Sequence, residues 1–321
     1  MTDKDTCFVG IDTSNYTTSV AIADLEGNII ANFKQLLPVK QGERGLRQSD
    51  AVFAHVKNLP SLLSEAKKIL SGKRIAAIGY SAKPRDAEDS YMPCFLVGQN
   101  AAYSMSAASG APIYAFSHQS GHIMAALYSS GSLHLLRENC FAAFHVSGGT
   151  TEILLVKPFE ETFSVELLGG TEDLNFGQVI DRAGVGMGLM FPCGREMEEL
   201  ALKNDKKIPK FRISVKDLCC NASGMENQAA KLYRESGDAG LVSAAVFDFV
   251  GRTLVSLTEN LTEQYGELPI VYSGGVMSNS IIKNMLSVRK NTFFAEPVFS
   301  SDNAAGTALL CRRKYLSERV D

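Results

Sequence analysis

Ser117-His118-Gln-Ser-Gly-His122 sets two imidazoles four residues apart, and on a helix that spacing puts both on one face, where they can share a metal ion. The chain has only five histidines. An HxxxH pair is equally the pattern of two structural histidines, and Gln119 stands where a zinc peptidase has the glutamate that serves as its general base. A third ligand must come from elsewhere in the chain. Asp302, in Ser300-Ser-Asp-Asn-Ala-Ala-Gly306, lies in a loop about to start a helix, a place where aspartate is also a common cap.

Three glycine- and hydroxyl-rich segments could meet an anion. Ser147-Gly-Gly-Thr-Thr151 presents backbone N–H groups and hydroxyls, and glycine allows close approach. A tight hairpin would use the same residues. Its pairing with the Asp12-Thr-Ser loop suggests two hairpin tips that clamp a polyphosphate from both sides. Tyr272-Ser-Gly-Gly-Val-Met-Ser-Asn279 places two glycines between a strand and a helix, where a flat ring or phosphate could lie on bare backbone; close packing at the turn would need them too. The basic run Lys203, Lys206, Lys207, Lys210, Arg212 and Lys216 holds Phe211 inside it and fits either a phosphate contact or a solvated face. Arg312-Arg-Lys314 is open to the same two readings.

The elements that must position these residues repeat. Cys7–Asp12 reads as an apolar strand, Thr13–Thr17 as a small polar loop and Thr18–Ala23 as an alternating strand, followed by a turn into a third. Phe141–Val146, Ser147–Thr150, Thr151–Lys157 and a strand through Ser164–Leu168 restate that grammar, and a Thr-Thr pair opens the second strand in both copies. Between the copies, Ser49–Leu70 has helical periodicity after a serine expected to cap it, and Ile75–Tyr80 reads as a buried strand. A Gly-rich helical stretch over Asp173–Gly194, a long helix over Ser243–Tyr265 and a strand over Pro269–Ser273 follow. The pattern predicts an α/β protein of two halves, residues 1–130 and 131–321, with the linker at Ser129–Leu133.

Composition narrows the classes. The chain has 321 residues, 45% hydrophobic and 21% charged, and apolar stretches such as Phe141–Val146 are far shorter than a membrane span. The polar N-terminus lacks the pattern of a secretion signal, so a cytoplasmic protein without membrane contact is expected. Seven scattered cysteines without CxxC spacing read as reduced thiols, and the net charge of −3 argues against a coat for non-specific nucleic-acid binding.

Taken in order, Gly10-Ile-Asp-Thr-Ser14, Arg47–His55, His118–His122, Val146-Ser-Gly-Gly149, Leu167-Leu-Gly169, Gly177-Gln-Val-Ile-Asp181, Pro192-Cys-Gly194, Ser223-Gly224, Gly274–Asn279 and Asp302-Asn303 resemble the TsaD family. These are the tRNA threonylcarbamoyladenosine synthases, once named O-sialoglycoprotein endopeptidases. The resemblance implies an ASKHA (actin-like ATPase, Hsp70-like) fold, two duplicated α/β halves around a nucleotide cleft. It implies a divalent metal, with iron or zinc the first choices, on His118, His122 and Asp302. It further implies ATP or threonylcarbamoyl-AMP held by His145, Val146, Ser147, Gly148, Gly149, Asp181, Gly194 and Asn279; it assigns no catalytic residue. The expected reaction is transfer of a threonylcarbamoyl group from its adenylate to tRNA adenosine, an acyl transfer. The expected partners are tRNA, an adenylate-forming enzyme and accessory subunits.

The chain departs from the family in places. Asn15-Tyr-Thr-Thr18 stands for Cys-Asp-Glu-Thr, Lys83–Ser90 for a Gly-Pro-Gly segment, Ser147-Gly-Gly-Thr-Thr for SGGHT, and Gly177-Gln-Val-Ile-Asp-Arg for Gly-Glu-Ala-Phe-Asp-Lys. Ser223-Gly-Met-Glu-Asn227 replaces Ser-Gly-Leu-Lys-Thr. The expectation is therefore a divergent paralogue. Two other functions stay open: a related carbamoyltransferase with a small-molecule acceptor, and a nucleotide-binding partner protein without turnover.

Overall fold

The computed structural model describes residues 5–14, 16–38, 46–159, 162–300 and 303–319, and the chain divides into two compact units. The described residues of Met1–Ser129, Pro158–Val165 and Ser301–Asp321 form unit 1; Ser130–Lys157 and Glu166–Ser300 form unit 2.

Unit 1 opens with β1 (Thr6–Ser14), β2 (Thr17–Asp24) and β3 (Ile29–Leu36), then α1 (Gln48–Leu70), β4 (Arg74–Lys83), α2 (Phe95–Ser109), β5 (Ile113–Ser117) and α3 (His118–Ser129). Its sheet has the order β3-β2-β1-β4-β5, antiparallel across the first three strands and parallel from β1 to β4 to β5. All nine residues of β1 are buried, as a central strand covered on both faces requires. Val9, Ile11, Val20 and Ile22 pack with Leu59, Leu62 and Ala66 of α1 in one apolar core. The helix α1 begins one residue before Ser49, and Arg47 occupies its N-cap without a side-chain hydrogen bond. The expected serine cap is therefore absent: Ser49 already lies inside the first turn.

Unit 2 restates the plan with β6 (Phe141–Val146), β7 (Thr151–Phe159), β8 (Thr162–Thr171), α4 (Phe176–Gly186) and α5 (Gly194–Leu202), then β9 (Ser214–Lys216), β10 (Cys219–Asn221) and α6 (Gly224–Ser236). There follow α7 (Ala239–Tyr265), β11 (Ile270–Ser273), α8 (Ser280–Leu286), β12 (Thr292–Phe294) and α9 (Pro297–Ser300). Its sheet runs β12-β11-β6-β7-β8-β10-β9, with β6 antiparallel to β7 and parallel to β11, which is parallel to β12. The order β8-β7-β6-β11-β12 matches β3-β2-β1-β4-β5 strand for strand, so the repeated hairpin pattern in the sequence is a duplicated architecture. The small pair β9-β10 extends unit 2 alone.

The core of unit 2 is built on α7, where Val242, Val246, Phe249, Val250, Leu254 and Leu257 are buried. An 18-residue window of this 27-residue helix has a mean hydropathy of 1.5, long and apolar enough to cross a bilayer, and 67% of that window is buried inside the protein. Asp248 and Arg252 interrupt the run and pair with each other at 2.8 Å.

The last helix, α10 (Ala305–Ser317), returns to unit 1 and packs on β1, β4 and α3. A Cβ on Gly306 would stand 1.8 Å from the Gly121 carbonyl oxygen, so glycine is required there for α10 and α3 to touch backbone to backbone. That contact fixes the helix that carries both histidines of the HxxxH pair.

Candidate metal pair and nucleotide cradle

In unit 1 the two histidines meet as their spacing predicts. His118 opens α3, His122 follows one turn later, and their Nε2 atoms are 2.9 Å apart with the rings edge-on at 80°. Behind them, β1 delivers Asp12, only 1% exposed, whose Oδ2 lies 2.6 Å from His118 Nδ1 while Oδ1 accepts the Ser14 N–H at 2.8 Å. A buried carboxylate is stable only with such partners. By accepting the Nδ1–H, Asp12 selects the tautomer of His118 whose Nε2 lone pair points at His122.

Two imidazole nitrogens bound to one ion at about 2.1 Å each would lie about 3.0 Å apart on an octahedral ion and about 3.4 Å apart on a tetrahedral one, slightly wider than the pair now stands. The pair therefore fits a metal by spacing, by donor chemistry and by its carboxylate backing. Among the described residues no group of three or more His, Cys, Asp or Glu could hold a metal, and Asp302 lies outside the described residues. The Asp12–His118 contact joins residues 106 positions apart. A lone aspartate ending an apolar strand was the only sign of it in the sequence.

The hairpin tip after β1 is largely committed to the protein itself. Thr13 Oγ1 donates to the Cys94 carbonyl at 2.9 Å and accepts the Gly98 N–H at 3.1 Å. Thr18 Oγ1 is 2.8 Å from Nδ1 of His55, a fully buried histidine on α1 whose pKa is pushed down by burial. Asn58 Nδ2 donates to the same hydroxyl at 3.3 Å. Asn15, in the altered tip, lies outside the described residues.

In unit 2 the predicted nucleotide residues are linked by close backbone approaches. His145 and Val146 end β6, with His145 opposite Glu152 of β7. Ser147 N–H donates to the Thr150 carbonyl at 2.7 Å and closes the turn, in which Gly148 and Gly149 have open space where a Cβ would stand. A Cβ on Gly177, in the first turn of α4, would lie 2.6 Å from the Gly148 backbone, and its N–H donates to the Ser147 carbonyl at 3.1 Å. The same helix carries Asp181, whose Oδ1 accepts the Cys193 N–H at 2.8 Å; burial raises its pKa against that hydrogen bond. Gly194 follows at the start of α5, again with open space at its Cβ position.

From the other side, Gly274 has φ 97° and would place a Cβ 2.2 Å from the Val146 carbonyl oxygen, so the turn after β11 passes directly over the end of β6. The turn Gly275–Ser278 packs against α4. Asn279 then caps α8: its Oδ1 accepts the Ile282 N–H at 3.0 Å, and Glu198 of α5 takes Ser280 N–H at 2.7 Å. Its side-chain nitrogen Nδ2 is buried without a hydrogen-bond partner among the described residues. A buried amide nitrogen with both donors unmet is a group that calls for an acceptor.

The structure thus brings Ser147 and Gly148 together with the helix of Asp181, sets Val146 under the Gly274 turn, and joins Asp181 to the Gly194 loop. Glu198, which takes the Ser280 N–H, and Glu152, opposite His145, have no motif in the sequence that marks them. The two basic segments are partly structural: Lys206 pairs with Asp238 at 2.6 Å, Arg252 donates to the Phe211 carbonyl at 2.7 Å, and Arg312 donates to the Leu25 carbonyl at 2.6 Å.

Known proteins share both sequence and fold. A family model described as TsaD, tRNA N6-adenosine threonylcarbamoyltransferase, matches residues 26–309. A protein of that name from Thermotoga neapolitana is 27% identical over 307 residues, 92% of this chain and 90% of the relative. One from Streptococcus suis (strain 05ZYH33) is 28% identical over 336 residues, 99% of this chain and 95% of the relative. Among solved structures, component A of the Acidaminococcus fermentans (R)-2-hydroxyglutaryl-CoA dehydratase superposes with a TM-score of 0.56 at 16% identity, covering 97% of this chain and 99% of that one. A ROK family glucokinase from Streptomyces griseus, in complex with glucose and AMPPNP, gives 0.53 at 12% identity over 96% and 99%. These neighbours show the fold to be of the ASKHA, actin-like type. With the family match running through α3, the hairpin of unit 2 and the Gly274 turn, the chain belongs to the TsaD family of tRNA N6-adenosine threonylcarbamoyltransferases.

Proposed function

We propose that this protein transfers a threonylcarbamoyl group from its adenylate to N6 of a tRNA adenosine. The observation that carries the donor half is in unit 2, which has open space at the Cβ positions of Gly148, Gly149, Gly194 and Gly275 and a buried Asn279 Nδ2 without a partner among the described residues. Bare backbone accepts a purine or phosphate closely, and Asn279 Nδ2 would donate to the nucleotide. Asp181 would accept from ribose hydroxyls, and the Ser147–Gly149 turn would direct its N–H groups at the phosphate.

In unit 1, His118 and His122, with Asp302, would hold a divalent ion, iron or zinc. Bound there, the ion would supply Lewis-acid positive charge and leave coordination positions open. Asp12 holds His118 in the tautomer that presents Nε2. In the transfer, the adenosine N6 attacks the carbamoyl carbon, the bond to the phosphate oxygen breaks, AMP leaves with that electron pair, and N6 gives up a proton. Orienting the adenylate on rigid backbone would supply much of the acceleration. The reading includes a cytoplasmic location, an adenylate-forming enzyme that supplies the donor, and accessory subunits of the same pathway type.

The test is a competition. Given ATP, bicarbonate, threonine and a companion adenylate-forming enzyme, the protein should modify unmodified tRNA in preference to small amine acceptors. Transfer to small amines alone would move the function to a carbamoyltransferase of another substrate class. Tight ATP binding with no transfer would make it a binding partner without turnover.

A further inference from the structure

The segment between β4 and α2 carries a clamp on the histidine helix. Asp86 Oδ2 accepts hydrogen bonds from Ser117 Oγ at 2.9 Å and Ser120 Oγ at 2.8 Å, and these two hydroxyls are themselves 2.9 Å apart, so the three oxygens form a closed triangle. Ser117 and Ser120 are buried. Beside the triangle, the Pro84 carbonyl accepts the Gln119 N–H at 3.0 Å, and Ser117 Oγ accepts the Ser120 N–H at 3.0 Å. Two of the N–H groups that a helix start leaves unpaired are thereby satisfied from Ser117 and this segment. Lys83 Nζ lies 3.8 Å from Asp86 Oδ1, and Ser90 Oγ accepts the Arg85 N–H at 2.9 Å, which ties the segment to itself.

His118 sits between Ser117 and Gln119, and His122 one turn on, so the bonds from Asp86, Pro84 and Ser117 fix the turn from which both imidazoles project. The carboxylate also places negative charge at the positive end of α3. We propose that Asp86 is a positioning residue for the His118–His122 pair: it locks the first turn of α3 so that the two Nε2 atoms converge before any ion arrives. Asp12 holds the ring of His118 from the sheet side, and Asp86 holds the backbone beneath it. The inference rests on the metal reading given under the proposed function.

Asp86→Ala removes both acceptor bonds, whereas Asp86→Asn keeps the acceptor shape and loses the charge. The helix keeps its Gly121–Gly306 contact in either variant, so both should fold. Titration of the purified proteins with cobalt(II) alone reads affinity and the ligand-field spectrum; amide hydrogen exchange of the metal-free proteins reads the first turn. Asp86→Ala should weaken cobalt binding at least about tenfold, shift the visible spectrum and speed exchange over residues 118–122, with Asp86→Asn recovering much of all three. A double Ser117→Ala, Ser120→Ala variant should reproduce the Ala effect. Cobalt affinity, spectrum and exchange that match the unaltered protein in Asp86→Ala would overturn the proposal. If the unaltered protein takes up no cobalt, the metal reading fails on its own, and unchanged exchange in Asp86→Ala would then overturn the clamp.

Discussion

Gly177 is the position where the nucleotide cradle can be perturbed with a calculable effect. An alanine Cβ there would stand 2.6 Å from the Cα and N of Gly148 and 2.7 Å from the Ser147 carbonyl oxygen. All three are backbone atoms, so no side chain can swing aside. The turn must move away from α4, stretching the Gly177 N–H bond to Ser147 that now measures 3.1 Å. Forcing a methyl into such a contact costs about 1–3 kcal/mol, or about 2–12 °C in Tm for a unit of this size. Because the displaced atoms belong to the turn proposed to face phosphate, ATP affinity should fall at least about tenfold, equivalent to about 1.4 kcal/mol. Gly149→Ala is the matched control, since no heavy atom lies within 4 Å of its Cβ position. Its Tm should stay within about 1 °C or rise slightly through reduced freedom of the unfolded chain, while ATP binding weakens because the methyl occupies the cradle. Thermal denaturation and calorimetric titration with a non-hydrolysable ATP analogue measure both quantities. A Gly177→Ala protein that melts unchanged would refute the packing argument, and a Gly149→Ala protein that binds the analogue normally would refute the placement of nucleotide.

Other perturbations separate the two units. His118→Ala and His122→Ala should each reduce bound iron or zinc, measured by elemental analysis, and the double variant should reach background; retained metal would remove the pair from the site. Asp181→Asn keeps an acceptor for the Cys193 N–H and removes a carboxylate whose pKa burial raises. A raised carboxyl pKa means stability is fully present below the unfolded value and is lost as pH rises through the folded value. Asp181→Asn should therefore raise Tm at neutral pH and not in acid, while weakening ATP binding; a lower Tm at neutral pH would contradict this. Asp173 behaves oppositely: burial pushes its pKa up, but the Ala222 N–H, the Ser223 hydroxyl and N–H, and the Leu174 N–H together hold it down at about 2. Asp173→Ala should cost about 1–2 kcal/mol, reduced from the full shift because the group is partly solvent-screened. That deficit is fully present above the ordinary carboxylate pKa and closes as pH falls toward 2. A gap in Tm that is independent of pH would show that the hydrogen bonds do not depend on the charge.

Periodic features were legible in the sequence because they repeat locally. The two hairpins showed as paired strands with hydroxyl-rich tips, and the structure gives both units the same five-strand order. The HxxxH spacing showed which imidazoles would share a helix face, and their Nε2 atoms converge. What could not be read depends on contacts between distant segments. Asp12 reaches His118 across 106 positions, and Asp86 reaches Ser117 across 31. Neither spacing has a local signature. Thr17 and Thr18, which opened the second strand in the repeat, are buried; Thr18 serves His55 rather than an exposed tip. The serine expected to cap α1 falls inside the helix because the capping position belongs to Arg47. The apolar length of α7 was hidden by Asp248 and Arg252, whose charges neutralise each other one turn apart.

The central claim is transfer to tRNA. Unmodified tRNA is incubated with ATP, bicarbonate, threonine, the adenylate-forming enzyme and this protein, then digested, and its nucleosides are quantified by mass spectrometry. The account predicts N6-threonylcarbamoyladenosine that requires this protein and disappears with Asn279→Ala or with the His118→Ala, His122→Ala double variant. No modified adenosine from a protein shown to hold both nucleotide and metal would contradict it.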